Sequence, residues 1–150
     1  MYKRILVPVD GSETSNRGLS EALKLAKSIG ATLRLVHVVD NSALALNPEA
    51  GIAAAPLAED FAEDGKALLE EARAAAAAEG ATVDTVLHDN FTGRVAGVIV
   101  QEAKTWGADL IVMGTHGRRG LRHVVLGSDA EAVVHATPVP VLLVRAPGRK

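Results

Sequence analysis

The sequence predicts an α/β fold: a doubly wound, five-stranded parallel sheet with helices on both faces. Three observations carry this reading. Five short segments dense in Val, Ile and Leu (residues 4–9, 32–39, 82–87, 108–113 and Val141–Val144) alternate with four stretches of helical period. Leu110-Ile111-Val112-Met113 and Val141-Leu142-Leu143-Val144 are apolar at every position, as parallel strands covered on both faces require. At 150 residues and 48% apolar, the chain has the size and composition for a single domain spanning residues 1–150.

The elements follow in order. After the first strand, Ser12 and Thr14 mark a helix start. Leu19, Ala22, Leu23, Ala26 and Ile29 then share one face, and Gly30 is placed to end the helix. After the second strand, residues 40–56 mix Ala, Leu, Asn, Pro and Gly without a period and read as an irregular, mobile flap. The second helix runs over about 57–79, with Phe61, Leu68, Leu69 and Ala72 toward the core and Gly80 as its stop. In the third, Val95, Ile99, Ala103 and Trp106 recur at core spacing before Gly107, so Trp106 reads as a packing residue. The fourth opens on Ser128-Asp129-Ala130-Glu131, a capping-box pattern, and stops before Pro138.

Composition removes whole classes of function. Lys plus Arg is 16 against 18 Asp plus Glu, a net charge of −2, which argues against a general nucleic-acid-binding surface. With no cysteine, disulfides, thiolate nucleophiles and Cys-ligated metal centres are excluded. His37, His88, His116, His123 and His135 fall on separate elements and form no metal-binding motif. No run approaches the ~18 apolar residues of a membrane span, and Pro8 and Asp10 interrupt the opening apolar run, so no membrane partner and a cytoplasmic location are expected.

The informative residues fall where a doubly wound sheet binds ligands, beyond the carboxyl ends of its strands. Pro8-Val9-Asp10-Gly11-Ser12 follows the first strand and Gly114-Thr115-His116-Gly117-Arg118-Arg119-Gly120 the fourth, while Gly127-Ser128 opens the last helix. A glycine-rich turn, an arginine pair and a helix N-terminus make an anion site, and the expected ligand is a nucleotide. Gly114 and Gly117 would let backbone approach it, Gly127 would allow a tight helix entry, and Ser128 adds a hydroxyl. Arg118 or Arg119 would neutralise phosphate charge. The Asp10 carboxylate is able to accept from a ribose hydroxyl or an adenine amine, or to help hold a divalent cation. Simpler readings stand beside these: Ser128 is explained by capping alone, and Asp10 by a turn.

GxxxxGK[ST] is absent, so the chain is not a P-loop NTPase, and no nucleophile–base pair is legible. Three functions follow: a nucleotide-binding regulatory module, a weak ATP hydrolase or nucleotidyl transferase in which Asp10 or His116 orients water, or a dimeric adaptor that uses no nucleotide.

The spacing Gly114-x2-Gly117-x9-Gly127-Ser128 resembles that of the ATP-binding members of the universal stress protein family. The resemblance extends over Ile5-Leu6-Val7-Pro8-Val9-Asp10-Gly11-Ser12, Asp109 to Gly117, and Pro140-Val141-Leu142-Leu143-Val144-Arg145. It implies strand order 3-2-1-4-5, ATP or another adenine nucleotide across the switch between strands 1 and 4, and a homodimer pairing the last strands, Val141–Val144. An apolar edge strand of that kind needs cover. By the match of positions, Pro8, Val9, Asp10 and backbone around Val38 would hold adenine and ribose. Met113, Gly114, His116 and Gly117 would flank the ribose and first phosphates. Arg118, Gly127, Ser128 and Asp129 would surround the polyphosphate, with Mg2+ as its counter-ion. An apolar residue is common in such relatives where Asp129 stands; an acid there stabilises the first helical turn by ~0.3–1 kcal/mol. The family's members act mainly as stress-induced signalling or regulatory proteins, which implies a protein partner of unknown identity.

Overall fold

Side chains of a strand point alternately to its two faces, so a strand apolar at every position needs cover on both. In the computed structural model, which describes residues 1–47, 49, 51–116 and 126–146, that cover is complete for the central strands. The elements are β1 (Arg4–Pro8), α1 (Glu13–Ile29), β2 (Thr32–Asp40), α2 (Ser42–Ala45), α3 (Gly51–Ala78), β3 (Val83–Asn90), α4 (Val95–Trp106), β4 (Leu110–Gly114), α5 (Ser128–Ala136) and β5 (Val141–Val144). The sheet runs β3-β2-β1-β4-β5 with every pair parallel. Ile5, Val7, Leu33, Leu35 and Val112 pack under α1 and α3, through Leu19, Leu23 and Leu69 among others. Leu6, Val36, Ile111 and Met113 pack under α4 and α5, through Ile99, Ala103 and Val133.

The helix signals act as read. Ser12 caps α1 by accepting from the Ser15 N–H at 3.2 Å, and Gly30 ends it in the left-handed region at φ 69°. Gly107 ends α4 at φ 75°. Four expectations are corrected. Residues 40–56 are not one irregular loop: β2 continues through Asp40, α2 follows, and α3 begins at Gly51. Pro56 lies inside α3 and forfeits one hydrogen bond to the carbonyl four residues earlier, but Ala53, Ala54 and Ala55 before it favour the helix strongly. Phe61 is not a core residue; it is 40% exposed. β3 is longer than its apolar run, because His88, Asp89 and Asn90 continue the ladder opposite Val38, Val39 and Asp40. The last correction concerns α5: its N-cap is Gly127 rather than Ser128, so the capping residue has no side chain to offer.

One polar network lies under the sheet on the α4 side. Arg34 of β2 forks onto Asp84 of β3, Nε and Nη2 each donating at 2.9 Å, and its Nη1 donates to Glu102 of α4 at 2.9 Å. The other carboxylate oxygen of Glu102 is 2.8 Å from His88 Nε2. The guanidinium stacks 4.7 Å from the Trp106 ring centroid, so Trp106 packs as its spacing predicts. Asp84 first, then Glu102, hold Arg34 charged well above the ordinary arginine range, against an opposing effect of burial.

Candidate functional site

Because β2 and β4 lie on opposite sides of β1, the crossovers that lead to them leave a crevice at the carboxyl ends of the strands. A cleft of about 620 Å³ occupies it. Pro8, Val9 and Asp10 reach it from β1, Val38 from β2, and Met113, Gly114 and His116 from β4. Gly127, Ser128 and Asp129 reach it from the start of α5. Ten of the residues singled out in the sequence are thus brought to one cavity; Gly117 and Arg118, with Arg119, lie outside the described residues.

Local chemistry shapes each wall. Asp10 Oδ1 accepts from the Ser12 N–H at 2.9 Å, while the Asp10 N–H donates to Ser15 Oγ at 3.1 Å, with Gly11 between them at φ 79°. The turn reading of Asp10 therefore holds alongside its position in the cleft. Thr14 Oγ1 donates to the His116 carbonyl, tying the start of α1 to the exit of β4. Thr115 Oγ1 is 3.0 Å from His116 Nδ1, and the Gly127 N–H donates to the Thr115 carbonyl at 2.6 Å.

The glycines are required for a reason the sequence did not show. A Cβ on Gly114 would lie 2.8 Å from the Thr14 carbonyl carbon and oxygen, and one on Gly127 would lie 2.8 Å from the Thr115 carbonyl oxygen. Neither has a positive φ. At both positions a side chain would run into the backbone of a neighbouring segment, a requirement that stands beside any role in admitting a ligand. At Ser128 the correction runs the other way. As the first residue of α5 it makes no capping bond, and it is exposed. The leading amides of a helix have no intrahelical partners, so the start of α5 turns the positive end of its dipole toward the cleft that Gly127, Ser128 and Asp129 line.

Several lining residues were missed: Ser15, His37, Asp40, Phe61, Asp64 and Gly65. His37 and Asp40 lie beside Val38, which the family resemblance singled out, and at the same strand end. Phe61, Asp64 and Gly65 carried no such signal, because helical period tells which face meets the sheet and not where that face overhangs a cavity. Among the described residues no group of three or more His, Asp or Glu is placed to hold a metal ion. Nor is any described helix long and apolar enough to cross a membrane.

Comparison with known proteins agrees with this architecture. A relative, universal stress protein MJ0531 of Methanocaldococcus jannaschii, is 35% identical over 150 residues, covering 100% of this chain and 86% of that protein. The solved structure of the hypothetical protein MJ0577 superposes with a TM-score of 0.88 at 28% identity over 99% of each chain. That of a universal stress protein from Archaeoglobus fulgidus in complex with dAMP does so with a TM-score of 0.67, at 25% identity over 95% of this chain and 98% of that one. The model of the universal stress protein family matches residues 1–145, and with the shared strand order and full-length similarity this means that the chain belongs to the universal stress protein family.

Proposed function

We propose that the protein binds an adenine nucleotide, ATP foremost, in this cleft and works in the cytoplasm as a stress-response regulatory module. The observation that carries the reading is the start of α5: a helix N-terminus with glycine at its N-cap opens into the same cleft as the carboxyl ends of β1 and β2. The dAMP held by the related Archaeoglobus fulgidus protein supports the adenine class. Pro8, Val9, Asp10 and Val38 take adenine and ribose. Met113, Gly114 and His116, with Gly117, flank the ribose and first phosphates. Gly127, Ser128 and Asp129, with Arg118, surround the polyphosphate. Mg2+ would enter with the phosphates and offset part of their charge beside Asp129.

The regulatory output is assigned to α2, because Asp40 lines the cleft and α2 begins two residues later. Its switching can be no larger than the difference in ATP affinity between its two states. Hydrogen exchange with saturating Mg-ATP is expected to slow both over residues 41–47 and in the first turn of α5. Slowing at α5 alone would retain binding and remove the switch; no change at either would overturn both.

The partner surface nearest to hand is β5. It is an edge strand, and Leu142 stands 42% exposed on it while Leu143 packs inward. Pairing with a second copy would cover this edge. Leu142→Asp is expected to convert a dimer into a folded monomer in sedimentation velocity; a variant that stays dimeric places the interface elsewhere.

A further inference from the structure

His37, near the carboxyl end of β2, lines the cleft, and its Nδ1 lies 2.7 Å from the Val9 carbonyl oxygen. A carbonyl only accepts, so Nδ1 carries the hydrogen, and in the corresponding neutral tautomer Nε2 is the acceptor. Among the described residues no group donates to that nitrogen. The ring is confined by α3. A Cβ on Gly65 would come within 2.9 Å of His37 Cδ2, the atom bonded to Nε2, and within 2.9 Å of Leu87 Cδ1. Glycine at this turn of the helix is what leaves the imidazole its place. Phe61, 40% exposed, and Leu68 continue the same wall of the cleft.

A wall of Phe61 and Leu68 whose polar groups, the His37 imidazole and the Asp64 carboxylate, offer acceptors suits a flat heteroaromatic ring that carries an N–H donor better than it suits a phosphate. Resting on the nucleotide reading above, we infer that His37 is a specificity-determining residue: its Nε2 accepts from the exocyclic amine of the bound base, with Phe61 packed against the ring. A base with a carbonyl in place of that amine would set two desolvated acceptors against each other, the arrangement a site of this kind rejects most strongly. A ribose hydroxyl is the other donor a nucleotide offers, and the test separates the two.

Titration calorimetry on the full chain and on His37→Phe, with ATP, inosine triphosphate and 2′-deoxy-ATP, decides the matter. The unaltered protein is expected to favour ATP over inosine triphosphate by roughly tenfold or more and to bind 2′-deoxy-ATP like ATP. In His37→Phe the first ratio falls to about one. Equal affinity of the unaltered protein for ATP and inosine triphosphate overturns the inference, as does a preference that survives in His37→Phe. A preference for the 2′-hydroxyl that disappears with His37 would assign Nε2 to the sugar and overturn the base assignment. If His37→Phe does not fold, purine riboside triphosphate, which lacks the amine, substitutes in the unaltered protein, and ATP-like affinity for it overturns the inference. Binding of none of these triphosphates removes the nucleotide reading itself, and this inference with it.

Discussion

Arg34→Met is expected to lower stability by about 3 kcal/mol, a fall of roughly 6–12 °C in Tm for a domain of this size. The reason lies in what the substitution leaves behind. Glu102 is 8% exposed in its side chain, and without Arg34 it keeps, among the described residues, the His88 imidazole as its one partner. Breaking a buried pair from one side costs about 3–5 kcal/mol because a charge remains without compensation. The lower end applies, since Arg34 is itself 24% exposed. Methionine also gives up the cation stacked on Trp106. Two comparisons make the result interpretable. Asp84→Asn should cost less than about 1 kcal/mol, because Asp84 is 50% exposed and water takes over the lost contact. The double change Arg34→Met/Glu102→Leu should recover most of the loss, since it leaves no orphaned charge. A Tm fall under about 2 °C for Arg34→Met would show that the network contributes little.

Mg-ATP at about 100 times its dissociation constant is expected to stabilise the nucleotide-stripped protein by ~2.7 kcal/mol, raising Tm by roughly 5–11 °C. Ser128→Glu should abolish most of that shift without lowering the Tm of the free protein. The glutamate stands at the first position of α5, where a negative charge favours the helix by ~0.3–1 kcal/mol. Toward a phosphate at the same end it is repulsive, by about 1 kcal/mol in water and ~4 kcal/mol where the surroundings are less polar, for charges ~4 Å apart. The substitution thus separates folding from binding by sign. An ATP shift undiminished in Ser128→Glu would place the phosphates away from α5. A free protein that melts lower would show that the hydroxyl has a structural part that the absence of a capping bond does not reveal.

How much of this was legible in the chain differs from element to element. α1 was readable end to end, because a cap, a hydrophobic period and a glycine stop are all local; α4 was readable from its period and glycine stop alone, since its N-cap, Arg94, makes no side-chain capping bond. α3 was readable from about residue 57 onward but not in its first turns: Pro56 argued for a boundary, and the alanines around it carry helix propensity but no period. β3 was read short because His88, Asp89 and Asn90 have no strand-like apolar pattern; their partners across β2 hold them in the ladder. The site residues at strand ends were found by topology, since a doubly wound sheet sends its ligands there. The wall contributed by α3 was not found.

By itself the sequence determined the alternation of strands and helices, the double-sided core of β4 (though not of β5, where Leu142 stays exposed), and the glycine-marked turns, because each depends on residues within a few positions of one another. Its family resemblance also anticipated the strand order. Only the tertiary structure decided that Gly114 must yield to Thr14, that Arg34 answers both Asp84 and Glu102, and that Gly65 makes room for an imidazole bound to the Val9 carbonyl. Those relations join residues separated by as many as a hundred positions. They hold to tenths of an ångström, a precision set by how helices settle on the sheet and not by any pattern along the chain.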